Sequence, residues 1–227
     1  MIKSASVLCL LGILIFFLIF NTPVTRLGSG FLIGTGSHVF TYYDLVKGAN
    51  FIKIVFPNED DISATLAYKD PIHNLAVLQL KSPPKIKFKS FTYTETNFDL
   101  TSRYVYTLGY PWTNTMEDKH ALIEGSTSLS HKLDLISINL HLNPVNSGGP
   151  LFNSNNEVLG MILFEKHAND FYELEKSNQY NYAIPASRLI KVIKKLKLKI
   201  DSKKLKKLSS KLFIENTNKN IVLIEAH

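Results

Sequence analysis

The chain has 227 residues, enough to bury the core of one domain of about 150–190 residues with appendages. Its fractions of 45% hydrophobic and 20% charged residues are those of a globular protein and argue against a disordered one, and its single cysteine, Cys9, excludes an intrachain disulfide framework and a cysteine-built zinc site. The net charge of +7 is uneven: between Ala186 and Phe213, Arg188 and ten lysines face Asp201 alone, so this segment carries about +10 and the remainder is near −3.

Residues 5–20, ASVLCLLGILIFFLIF, form an uninterrupted apolar run behind Lys3. As a helix the run rises about 24 Å, short of a ~30 Å hydrocarbon core, and Ile2 with residues 21–24 brings it close to spanning. A signal anchor is the first reading. A cleaved signal peptide is the second, weakened by the lack of a small-x-small site after Phe20. A buried core helix is the third, since the run has no polar face. Lys3 against Arg26 is too slight a contrast to set orientation. A spanning segment would place the following domain outside the cytoplasm, in the periplasm of a bacterium.

From Gly28 the pattern is that of strands. SGFLIG and HVFTYY are joined through Gly34-Thr35-Gly36-Ser37, a hairpin signal. NFIKIVF (50–56), SATLAYKD, NLAVLQL (74–80), RYVYTLGYP (103–111), ALIEGSTSLS, DLISINLHL, EVLGMILFE (157–165) and NYAIP (181–185) follow, with a turn at Asp70-Pro71 and a loop around Pro83-Pro84. This spacing, with almost no helical periodicity before residue 186, predicts an all-β barrel or sandwich. After Pro185, Leu189, Ile193, Leu196 and Ile200 recur at threes and fours with lysines between them, and Leu205, Leu208 and Leu212 continue. This predicts a basic amphipathic helix, with a break near Asp201. IENTNKNIVLIEAH reads as a polar link with a short apolar end, long enough for one more strand.

The ordered motifs GSGFLI, FTYYDLVKGA, KDPIHNLAVLQL, YTLGYP, EGSTSLS, NPVNSGGPLFNSNNEVLGM and NYAIPASRL together resemble the protease domain of Deg/HtrA-type trypsin-like serine peptidases, over roughly residues 28–200. The resemblance implies two six-stranded antiparallel barrels with the active site between them. The expected division is residues 1–27 as anchor or leader with linker, 28–185 as peptidase domain, and 186–227 as basic helix and tail. About 40 residues after the AIP strand leave no room for the family's peptide-binding PDZ domain.

Position by position, the resemblance puts the nucleophile on Ser147. The histidine base falls on Asp44 and the orienting aspartate on Asn74. The oxyanion hole falls on the backbone N–H groups of Ser147 and of Val145, where the family usually has glycine. An aspartate carboxylate, with a reference pKa near 4, accepts a serine proton poorly at neutral pH. An asparagine cannot stabilise an imidazolium, and Asp44 offers no imidazole. Valine resists the positive φ that glycine tolerates, so Val145 would misform any turn that needs it. His73, His38 and His141 are the histidines considered as substitutes. His73 should face away from the cleft if Asn74 faces it. His141 aligns with the floor of the family's specificity pocket, a place for recognising an acidic side chain.

The expectation is therefore a membrane-anchored, trypsin-like double-barrel protein that has lost hydrolysis and binds a peptide or protein partner. The resemblance suggests the partner adds as a strand along the edge near YAIP, lined by Tyr180, Tyr182 and Ala183, with His141 below. One alternative is an active endopeptidase using Ser147 with an unorthodox base. Another is a tether to anionic lipid through the lysine-rich helix. The sequence has no phosphate loop or metal-ligand cluster, so no cofactor or metal is expected. It also has no aromatic-interleaved basic strand, which argues against nucleic acid.

Overall fold

The structure, a computed structural model, describes residues 25–57, 61–86, 88–94, 103–110, 120–128, 135–164, 166–168, 181–199 and 210–227. The apolar run 5–20 and Tyr180 lie outside them. Twelve strands form two closed antiparallel barrels. The first contains β1 (Arg26–Ile33), β2 (His38–Tyr42), β3 (Ile52–Val55), β4 (Ile62–Asp70) and β5 (Leu75–Leu80). The second contains β6 (Tyr104–Gly109), β7 (Ala121–Thr127), β8 (Ile136–Asn139), β9 (Pro150–Asn153), β10 (Val158–Leu163) and β11 (Asn181–Pro185). The predicted double barrel is the architecture found.

The sixth strand of the first barrel comes from the far end of the chain. β12 (Ile221–Ala226) lies between β1 and β3, with Arg26 opposite Ala226 and Val55 opposite Leu223. Ile221, Val222, Leu223 and Ile224 are all fully buried, the environment that an unbroken apolar run requires. The barrels therefore do not end at residue 185, because the tail is a structural member of the first one.

The basic segment also differs from a helix broken once near Asp201. α1 (Tyr43–Val46) precedes β3, and α2 (Ala186–Lys195) follows β11. α2 buries Leu189, Ile190, Val192 and Ile193, then stops where Lys197 turns into the left-handed region at φ 53°. α3 (Ser210–Thr217) places Phe213 at 0% exposure, while Leu212 beside it is 45% exposed. The Phe213 ring meets Phe152 edge-on at 5.1 Å and Phe91 at 6.4 Å. Phe91 in turn meets Phe31 of β1 at 6.0 Å. This aromatic chain runs from α3 and the second barrel into the first, so Phe213 is part of the core.

Phe213→Ala is expected to lower unfolding free energy by about 3–5 kcal/mol in urea denaturation. Leu212→Ala, at the exposed neighbour, should stay within about 0.5 kcal/mol.

Candidate active site

The serine turn is built by its own side chains. Pro144–Asn146 form a single 3-10 turn capped reciprocally: Val145 N–H donates to Asn143 Oδ1 at 3.0 Å and Asn143 N–H to Asn146 Oδ1 at 2.9 Å. Asn143 Nδ2 also donates to the Tyr110 carbonyl at 3.0 Å, tying the turn to the end of β6. Gly148 then takes φ 90°, and a Cβ there would lie 2.1 Å from the Ser29 carbonyl oxygen, so both the backbone and the space require glycine. Across the barrel boundary, Ser29 N–H donates to the Ser147 carbonyl at 2.8 Å and Ser29 Oγ to the Val145 carbonyl at 2.6 Å.

Ser147 is fully buried. Its hydroxyl accepts the Phe164 N–H at 2.9 Å and lies 2.7 Å from His167 Nδ1. With that nitrogen unprotonated, the hydroxyl donates to it. The imidazole stacks on Tyr42 at 5.2 Å and 21°, and meets Phe164 edge-on at 6.0 Å. Burial, reinforced by the Asp44 charge and opposed by Arg26, pushes the Tyr42 phenol well above its ordinary pKa, so it stays neutral.

Asp44 and Asn74, placed at the base and orienter positions by resemblance, do come together. Asn74 Oδ1 accepts the Asp44 N–H at 2.9 Å, and Asn74 Nδ2 donates to Asp44 Oδ2 at 3.3 Å. Asn74 is fully buried at φ 52°, a left-handed conformation asparagine tolerates better than most residues. Its carbonyl accepts the Tyr43 N–H at 3.1 Å. The pair thus braces the first turn of α1, and Arg26 Nη1 holds its other side through the Asp44 carbonyl at 2.9 Å.

The oxyanion donors are occupied within the turn. Val145 N–H points to Asn143 Oδ1, and Ser147 N–H donates to the Pro144 carbonyl at 3.2 Å. Val145 has no positive φ. Its backbone follows the 3-10 turn, so the β-branched side chain meets no positive-φ constraint here.

The considered histidines have other roles. His73 Nδ1 pairs with Asp70 Oδ2 at 2.7 Å, and His38 Nδ1 lies 3.1 Å from Ser37 Oγ. His141 is exposed. The histidine that reaches Ser147 is His167, which sequence reasoning passed over. No local pattern marks it: Ile162 N–H donates to the Gly149 carbonyl at 2.8 Å, and this register brings residues just past β10 back toward the serine turn.

The proposed strand-addition edge needs correction. β11 pairs with β10 on one side and β8 on the other, and Tyr182 and Ala183 are buried in the barrel. A strand with both ladders filled has no edge to offer. Among the described residues no group of three His, Cys, Asp or Glu side chains is placed to hold a metal ion.

A family model described as "Trypsin-like peptidase domain" matches residues 28–161. A probable periplasmic serine endoprotease, DegP-like, from Pseudomonas putida (strain W619) is 28% identical over 144 residues, covering 60% of this chain and 28% of that protein. A DegP-like counterpart from Rickettsia conorii is 26% identical over 178 residues, covering 75% and 34%. The chain thus spans about a third of the length of these relatives. In fold it is similar to the crystal structure of the serine endoprotease from Yersinia pestis, with a TM-score of 0.60 and 22% identity, over 75% of this chain and 57% of that one.

Asn74→Ala removes both contacts to Asp44 and places alanine at positive φ. It should destabilise the fold by about 2–4 kcal/mol in urea denaturation. Asp44→Ala keeps both backbone N–H bonds to Asn74 and should cost less than half as much.

Proposed function

This chain belongs to the trypsin-like peptidase domain family, and from that membership we propose that it keeps the fold without the hydrolytic chemistry and acts by binding a peptide or protein. The observation that carries this reading is the state of Ser147. Its hydroxyl is buried and already bonded by Phe164 N–H, while the N–H groups of Ser147 and Val145 bond within their own turn. Loss of a single oxyanion donor costs about 10²–10³ in rate, and here neither donor faces a substrate. At the base position stands a carboxylate braced by Asn74. The binding place is the boundary between the barrels, where Phe164 N–H and His167 cover the Ser147 hydroxyl. A partner would engage or displace that cover, since β11 offers no edge.

One observation favours a second reading. His167 Nδ1 at 2.7 Å from Ser147 Oγ is within the range at which an imidazole accepts a serine proton. For acyl transfer, the serine hydroxyl would attack a carbonyl carbon while its proton passes to Nδ1. Val145 or Ser147 N–H would then have to leave its internal acceptor to hold the oxyanion. This is the endopeptidase alternative, with His167 as its unorthodox base.

We further propose that residues 5–20 anchor the chain in a membrane with the barrels outside the cytoplasm. The uncharged apolar run supports the anchor, and the DegP-like relatives described as periplasmic fit a domain outside the cytoplasm. Attraction of the lysines between 199 and 211 to anionic lipid is a compatible addition, worth about 1 kcal/mol per residue near the surface.

The full-length protein treated with a serine-directed fluorophosphonate is expected to remain unlabelled. Stoichiometric labelling, abolished by both Ser147→Ala and His167→Gln, would replace the first reading with the second. In alkaline carbonate extraction of membranes the chain should stay in the pellet. A soluble mature chain beginning between Phe20 and Gly28 would make the segment a cleaved leader.

A further inference from the structure

His120 is a buried ionisable side chain that the serine site does not use. It directly precedes β7, and its ring packs on Tyr110 with centroids 4.5 Å apart at 57°. Both ring nitrogens are buried, and neither has a hydrogen-bond partner. A neutral imidazole carries one donor and one acceptor, so both are left unsatisfied here. Burying them costs free energy that a phenylalanine in the same stack would not incur. Shape and apolar contact therefore do not explain a histidine at this place.

The ring sits at a junction. Tyr110 follows β6 of the second barrel, and its hydroxyl donates to the Ile221 carbonyl of β12, in the first barrel, at 3.4 Å. The Tyr110 carbonyl accepts Asn143 Nδ2 at 3.0 Å and Asn146 Nδ2 at 3.4 Å, from the two side chains that cap the serine turn. A Cβ on Gly109 would lie 2.1 Å from Asn146 Nδ2, so the turn rests on this strand end without slack. Tyr110 thus joins the His120 ring, β12 and the cap that holds Val145 N–H.

A charge on His120 would disturb that junction. Tyr110 is the titratable side chain against the ring. On the neighbouring elements, Lys219 before β12 is exposed, Glu225 of β12 is paired with Lys53, and Glu124 of β7 is bonded by Tyr104. Burial lowers the imidazole to a pKa of about 4, and the Ile221 carbonyl offsets only part of this. A ring released to water regains its ordinary value near 6.5. Between those values the open form binds more protons than the closed one. The closed form is favoured fully above about pH 6.5 and progressively less as pH falls toward 4.

We propose that His120 is an acid-sensitive latch: its protonation expels the ring from beside Tyr110, loosens the serine turn from the strand end beneath it, and lets Val145 N–H leave Asn143. The latch acts equally on a site that binds and on one that cleaves.

Hydrogen exchange of the full-length protein in neutral detergent, read by mass spectrometry at pH 7.5, 6.0 and 5.0 and corrected for intrinsic rates, tests this. Opening at residues 143–147 is expected to rise about tenfold or more from pH 7.5 to 5.0, and less than about twofold in His120→Phe. Exchange in β5, within the first barrel, should respond alike in both proteins. Equal rises at 143–147 in both proteins, or none in either, would overturn the proposal. A rise that the variant loses throughout the chain, β5 included, would make His120 a determinant of global stability and also overturn the latch. If His120→Phe does not fold, the His120 ring signal of the unaltered protein is titrated by NMR. A midpoint below about pH 5, with coincident shifts of the Val145 and Ser147 amides, keeps the latch. A midpoint near 6.5, or amides that do not respond, overturns it.

Discussion

Everything near the serine depends on β1 and what Ser29 does from it. One edge of β1 is bonded to β12 and the other to β2, so its position is set within the first barrel. Ser29 then spends its N–H on the Ser147 carbonyl and its hydroxyl on the Val145 carbonyl, while its own carbonyl accepts Thr41 Oγ1 at 2.9 Å. The serine turn, capped by its own side chains, is therefore also braced by the docking of the two barrels. Gly148 is held to glycine by that same contact. Packing alone therefore requires the glycine at 148 in NSGG.

The hydroxyl of Ser147 fits this account. A polar group with no exposure costs free energy unless it is bonded, and this one has a donor in Phe164 N–H and a partner in His167. Tyr42 and Phe164 then hold the imidazole from two sides. The result is a buried hydroxyl paired with a half-buried imidazole between two aromatic rings, at the boundary of the two barrels.

Local features were legible in the sequence and long-range ones were not. Strand alternation, the glycine hairpin at 34–37 and the pairing of Asp44 with Asn74 are set by residues a few positions apart or by motif order. His167 was missed because its proximity to Ser147 comes from the β9–β10 register, twenty residues away. Tyr182 and Ala183 were taken for an edge because a strand's second partner, here β8, is invisible in its own letters. Phe213 entered only as the end of the lysine-rich segment, because the apolar repeat there was read through Leu205, Leu208 and Leu212. The six apolar-rich residues of β12 looked like a strand without a sheet, since nothing local says that they belong beside residue 26.

That last strand sets an order of assembly. On a ribosome, β1 to β5 are complete by residue 80, yet the gap between β1 and β3 stays open until residue 226 has been added. At 5–20 residues per second this is a delay of roughly 7–30 s. The second barrel has all its strands by residue 185, so the half of the protein made later can close first. During the interval β1 and β3 present unpaired backbone to any other extended segment nearby, including the same strand of a neighbouring nascent chain. A fold closed by its own tail exposes the chain to that hazard at every round of synthesis.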